Sequence, residues 1–138
     1  MVVLLVEDDA LIAMAVAFEL EAAGHTVVGP AIDERSALSL ASEHHPDVAL
    51  VDIDLGNGDD GLKVAQSLTA VGVPPVFASA ECAAARAGCN AVALLGKPYA
   101  PEAAVRSLEA VVAVLKGGRA SGAPELEWLA GWRGLIAH

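Results

Sequence analysis

Four short stretches of the 138-residue sequence hold side chains able to manage metal or phosphate chemistry. Glu7, Asp8 and Asp9 form an acidic triplet, Asp54 follows two residues after Asp52, and Ser79 and the Lys97-Pro98 pair come later. Carboxylates brought together repel one another, and gathering them is costly unless something positive sits among them. A hard divalent cation meets that need, since Mg²⁺ takes an octahedron of oxygens, often one or two carboxylates with waters and a phosphate oxygen. Taken singly, these residues are ordinary. An acidic triplet suits a helix N-terminus, Asp52 suits the first position of a turn, Lys97 suits a solvated surface, and a lone serine says almost nothing. The chemistry depends on the chain delivering acid, acid, hydroxyl and amine together.

The elements needed to position them are legible. Val2–Val6 is a continuous apolar run, as expected of a strand covered on both faces, and it leads into Glu7. Asp9 is placed to cap a helix from Ala10 to about Ala23, with Gly24 at its end. A short strand is predicted over 26–29, and Asp33 caps a second helix that Pro46 closes. A strand over 48–51 ends at Asp52, and a Gly- and Asp-rich loop runs from Asp52 to Gly61. A third helix reaches about Val71, a strand over 76–78 leads to Ser79, and a short helix is predicted around 83–87. The fifth strand, 91–95, leads to Lys97, and Pro101 opens a helix running to Lys116. Five strands alternating with five helices predict an α/β fold with a parallel sheet covered on both faces. Right-handed crossovers leave few topologies, and the working site of such a sheet lies beyond the carboxyl ends of its strands. With strands one and three as neighbours, about 5 Å apart, their terminal acids converge.

Composition sets the outer bounds. The length is that of one domain, burying roughly two-thirds of the unfolded chain's surface without staples. Apolar residues make up 55% and aromatics 4%, so the core is built from Val, Leu, Ile and Ala. Eighteen acids against eight bases give a net charge of −10, which argues against nucleic acid or an anionic membrane as direct partner. The longest apolar run, Ala10 to Phe18, is nine residues, against roughly 20 for a bilayer span. No signal-peptide pattern is visible at the N-terminus. A cytoplasmic location is therefore expected. Cys82 and Cys89, about 10 Å apart along a helix, are too distant for a bridge and read as packed free thiols. His25, His44, His45 and His138 lack metal-ligand spacing.

The runs Val-Leu-Leu-Val-Glu-Asp-Asp (3–9), Pro-Asp-Val-Ala-Leu-Val-Asp-Ile-Asp-Leu (46–55), Val-Phe-Ala-Ser-Ala (76–80) and Gly-Lys-Pro-Tyr (96–99) together resemble the receiver domain of two-component response regulators. The resemblance covers residues 1 to about 116. It implies a doubly wound, five-stranded parallel sheet of order 2-1-3-4-5 flanked by five helices, the flavodoxin-like and CheY-like arrangement. It implies Asp52 as phosphoacceptor and Mg²⁺ as cofactor, held by Glu7, Asp8, Asp52 and the backbone carbonyl of Asp54. Ser79 would bond the phosphoryl group, Lys97 would pair with it, and the Lys97-Pro98 peptide would be cis. The implied partners are a histidine kinase or histidine phosphotransfer protein as donor and a downstream protein target, in a bacterial phosphorelay. The only turnover implied is of the chain's own phosphoryl group. Receivers often carry a rotameric aromatic three residues before the lysine, where this sequence has Leu94, and Gly56 stands at the usual turn proline. Phe77-Ala78-Ser79 resembles the Phe-Ala-Thr of a subgroup of single-domain regulators, although Glu81 occupies the next aromatic position of that subgroup.

Residues 117–138 read as a Gly-rich linker and a short amphipathic helical tail beginning at Pro124-Glu125-Leu126-Glu127. Trp128, Trp132 and Leu135 fall at i, i+4 and i+7, a stripe that docks back on its own domain or forms a dimer or partner contact. The tail is too short for an output domain, so a stand-alone receiver is expected. A homodimer is open through either this tail or the face formed by the helix at 83–87, the fifth strand and the helix from Pro101. Two other classes stay in view. One is a docking or dimerisation module acting without phosphorylation. The other is a phosphatase, since Asp52-Ile53-Asp54 resembles the Asp-x-Asp signature of haloacid-dehalogenase-type enzymes.

Overall fold

The structure is a computed structural model that describes residues 1–55, 60–80, 91–119 and 122–129. Six strands form one sheet: β1 (Val2–Val6), β2 (Thr26–Ala31), β3 (Val48–Asp52), β4 (Pro75–Ser79), β5 (Ala93–Gly96) and β6 (Leu126–Trp128). Four helices are described: α1 (Ala10–Ala22), α2 (Glu34–His44), α3 (Gly61–Ala70) and α4 (Pro101–Leu115). The helix predicted at 83–87 lies outside the described residues, as do Glu81, Cys82, Cys89, Gly56 and the far part of the tail with Trp132, Leu135 and His138.

The sheet order is β2-β1-β3-β4-β5-β6. The first five strands are parallel and follow the expected 2-1-3-4-5 order. The expected count of five is corrected to six, because β6 adds antiparallel to β5. The alternation of strand side chains divides the core in two. Val3, Leu5, Val48, Leu50 and Val76 pack with Val16 and Leu20 of α1 and Leu108 and Val111 of α4. Leu4, Val6, Ala49, Val51 and Phe77 pack on the other face with Ala37 and Ala41 of α2 and Val64 and Leu68 of α3. Strands apolar at every position are thus covered twice, as a parallel sheet requires.

The caps form as the sequence indicates. Asp9 accepts from the N–H groups of Leu11 and Ile12, and Asp33 forms a capping box with Ser36. The second strand runs two residues past its expected end, across an irregularity in the β1–β2 register, with Gly29 at φ +106°. A side chain at Gly29 would meet the Leu5 carbonyl at 2.8 Å. The extension has a use: the Ala31 carbonyl accepts from the Glu7 N–H at 2.9 Å, fixing the backbone of a predicted site residue.

The helix start read at Pro124-Glu125-Leu126-Glu127 is corrected. The chain turns at 124–125 and enters β6, pairing Leu126 with Leu95, Glu127 with Leu94 and Trp128 with Ala93. Leu126 and Trp128 pack on the α1–α4 side while Leu129 is buried in the cluster opposite. This segment therefore obeys a period of two, and an open sheet edge supplies backbone partners that an isolated helical turn could not.

Candidate functional site

Strands β1 and β3 are hydrogen-bonded neighbours with Val6 opposite Val51, so Glu7 and Asp52 leave adjacent strands at the same level. Asp52 lies opposite Ala78, and Ser79 lies opposite Gly96, the residue before Lys97. Parallel register alone therefore brings all four predicted strand ends to one edge. The Lys97-Pro98 bond is cis, as expected, and the Lys97 N–H donates to the Ser79 carbonyl at 2.8 Å.

The side chains converge. Lys97 Nζ donates to Asp52 Oδ1 at 2.8 Å, across 45 residues of sequence. Asp52 is 4% exposed and Glu7 7%, whereas Asp8 is exposed. Carboxylate oxygens of Glu7, Asp8 and Asp52 all lie within 4.8 Å of one another. Three acids against one ammonium leave an excess of negative charge, with two of the acids buried, and the donors are all oxygens. The set fits a hard divalent cation such as Mg²⁺. The N–H of Asp54 donates to Asp52 Oδ1 at 3.1 Å, which ties that loop residue to the same carboxylate. Ser79 is buried at the end of β4.

Burial is the largest influence on Glu7 and disfavours its charged form. The Asp9 N–H works the other way, and the hydrogen bond and charge of Asp52 add to burial, so the carboxyl is pushed up to about 7. Burial alone would lower the Lys97 pKa. Its hydrogen bond to Asp52 and the charges of Asp52, Glu7 and Asp54 outweigh burial and raise it, keeping the ammonium charged. The folded protein holds a proton on Glu7 that the unfolded chain loses near its ordinary 4.5. The folded state thus binds more protons across that window, and stability falls as pH rises. In chelator, Tm is expected to drop between about pH 5 and about pH 8, by more than in Glu7→Gln, with added Mg²⁺ stabilising most at the upper end. A Tm that follows the same pH course in the Glu7→Gln variant contradicts this.

Two further residues shape the site and were not singled out by sequence reasoning. Tyr99, the chain's one tyrosine, is pushed up to about 12 by burial, then by the charges of Glu7 and Asp52. Its place two residues after Lys97 was the available signal. Gly61 opens α3 and donates its N–H to the Ile53 carbonyl at 3.1 Å. It packs directly on the Asp52–Ile53 backbone, where a Cβ would sit 2.5 Å from Ile53 Cα. Leu94, at the position where receivers often carry a mobile aromatic, is buried in the same cluster as Phe77.

An acid at the end of β3, with acids after β1 beside it and a lysine after β5 paired to it, is the set of strand ends that the sequence leads one to expect. Residues 3–109 match the family described as response regulator receiver domain, and the chain belongs to that family. It is 30% identical over 115 residues to the transcriptional regulatory protein PdtaR of Mycobacterium tuberculosis, covering 80% of this chain and 56% of that protein. It is 38% identical over 80 residues to the phyllosphere-induced regulator PhyR of Methylorubrum extorquens, covering 56% of this chain and 30% of PhyR. The chain therefore spans about half the length of one curated relative and less of the other. Among solved structures, the chemotaxis response regulator CheY4 of Vibrio cholerae superposes with a TM-score of 0.67 at 25% identity, over 78% of this chain and 95% of that one. Among the described residues, no helix is long and apolar enough to cross a membrane.

Proposed function

We propose that this chain accepts a phosphoryl group on Asp52 from the phosphohistidine of a histidine kinase or phosphotransfer protein. The resulting acyl phosphate then biases a protein-binding surface in a bacterial phosphorelay. The observation that carries this reading is the 2.8 Å contact of Lys97 Nζ with a buried Asp52 that shares its pocket with Glu7 and Asp8. An Asp52 oxygen attacks phosphorus, the P–N bond to the donor imidazole breaks, and the imidazole leaves with the electron pair of that bond. Such a transfer needs positioning and charge neutralisation more than covalent help. Glu7, Asp8, Asp52 and the backbone carbonyl of Asp54 would hold Mg²⁺, which supplies positive charge to the transferring oxygens. The ammonium of Lys97 pairs with the phosphoryl group, and the Ser79 hydroxyl donates to it. The chain turns over no other substrate, and the reading carries a cytoplasmic location.

The exposed side of α1 supports a place for the donor to dock. Leu11, Met14 and Phe18 are 79%, 67% and 69% exposed at i, i+3 and i+7. Leu11 also lines a groove of about 550 Å³, together with Ile12, Ala15, Lys97 and Tyr99. A helix whose exposed side is apolar offers a docking stripe beside the acceptor. Met14→Glu is expected to slow transfer from a phosphorylated histidine phosphotransfer protein roughly tenfold, while uptake from acetyl phosphate stays unchanged. Equal slowing with both donors contradicts the docking role.

Intact mass after incubation with Mg²⁺ and acetyl phosphate tests the main reading. It predicts an adduct of about 80 Da that is absent in chelator and absent in Asp52→Asn. An adduct that persists in Asp52→Asn contradicts the assignment. No adduct, together with no response to beryllofluoride, favours a docking module that works without phosphorylation.

A further inference from the structure

Helix α1 is apolar on its outward side as well as its inward one. Val16 and Leu20 are buried under it, while Leu11, Met14 and Phe18 face solvent. A helix apolar all round is ordinarily buried all round, so the outward stripe has the character of a contact surface.

The stripe is framed by charge of one sign. At about 100° of turn per residue, Glu21 falls on the Met14 side of the stripe and Glu19 on the opposite side. Asp9 and Glu21 are exposed and Glu19 is half-buried. Among the described residues, neither Glu19 nor Glu21 enters an ion pair. Across the groove, exposed Glu102 follows Pro101, which lines it. No lysine or arginine precedes Arg35, which lies on α2 and so on the other face of the sheet. Lys97, which also lines the groove, is already held by Asp52 at 2.8 Å.

We propose that the protein docking on α1 presents a helix whose apolar face is bordered by lysine or arginine. The inference rests on the reading of α1 as the donor's docking stripe and adds the chemistry of the surface that docks there. The apolar residues of that helix cover Leu11, Met14 and Phe18, and its cations stand opposite Glu19 and Glu21. An apolar centre with a charged rim is the usual anatomy of a protein contact. Rim charges of opposite sign speed encounter and select the partner, and an acidic helix meets the same frame with repulsion.

The test uses the full chain and two helical peptides of about 20 residues. Both carry leucine at i, i+3, i+4 and i+7, one rimmed with lysine and the other with glutamate. At low ionic strength the lysine peptide is expected to bind at least about tenfold more tightly, with amide shifts gathered on α1. Raising NaCl to about 0.5 M should remove most of that difference. The chain's charge of −10 attracts cations everywhere, so position is the control. Glu21→Lys should weaken the lysine peptide about fivefold, and Glu43→Lys, the same charge change on α2, less than about twofold. Equal binding of the two peptides, both weakened by Met14→Glu, overturns the basic rim and leaves the docking stripe standing. Equal losses from Glu21→Lys and Glu43→Lys overturn the rim as well, since net charge then explains the preference. Binding that ignores Met14→Glu and moves no α1 amide overturns the stripe itself, and the rim with it.

Discussion

Replacing Lys97 with methionine is expected to slow phosphoryl uptake from acetyl phosphate by about 10²–10³-fold, the usual loss when one preorganised charge donor is removed. Methionine keeps an unbranched stem and loses only the ammonium that sits 2.8 Å from Asp52 Oδ1. Asp52 stays tied to the Asp54 N–H at 3.1 Å, so the acceptor keeps a positioning contact while the counter-charge to the incoming phosphoryl oxygens is gone. Mg²⁺ affinity, read by titration, is expected to hold or tighten, because the ammonium competes with the cation for the same carboxylate. Uptake within about threefold of wild type would mean that Lys97 is only a structural partner of Asp52.

Gly61→Ala is expected to cost on the order of 3 kcal/mol, a fall in Tm of roughly 10 °C for a chain of this size. The Cβ would lie 2.5 Å from Ile53 Cα, 2.9 Å from the Ile53 carbonyl oxygen, and against the carbonyl oxygen of Asp52. All three are backbone atoms, so no side chain can swing aside, and relief requires moving α3 away from the end of β3. That movement displaces Asp52, and on the proposed function the variant should also take up phosphate more slowly than its loss of stability alone explains. Thermal unfolding and uptake rate measured on the same sample check both effects. An unchanged Tm would contradict the close approach.

The convergence of the candidate site was legible in the sequence because each of its parts terminates a strand that announces itself. Continuous apolar runs end in Glu7, Asp52 and Ser79, and Lys97-Pro98 follows the fifth. Once those runs become parallel neighbours, register does the rest. Gly61 was not legible, because its constraint is contact with a backbone that loop closure brings back to it, and a lone glycine before a helix has many causes. The start of the tail, the part within the described residues, misled for a related reason. Trp128, Trp132 and Leu135 match a helical stripe over eight residues, whereas the strand that forms is three residues long and leaves only one alternating pair, Leu126 and Trp128. What decides its state is the unpaired edge of β5, more than thirty positions upstream, which no local pattern reports. The extended end of β2 depended likewise on a non-local partner, the Glu7 N–H.

The central claim is that the buried carboxylate of Asp52 carries the phosphoryl group. The measurement that reaches it most directly is borohydride reduction of protein treated with Mg²⁺ and acetyl phosphate, followed by peptide mapping. An acyl phosphate is reduced to the alcohol, so the account predicts homoserine at position 52 and at no other acidic residue, with none formed when Mg²⁺ is chelated. Homoserine at Asp8 or Asp54 instead, or a stable phosphate on a histidine with position 52 intact, would contradict it.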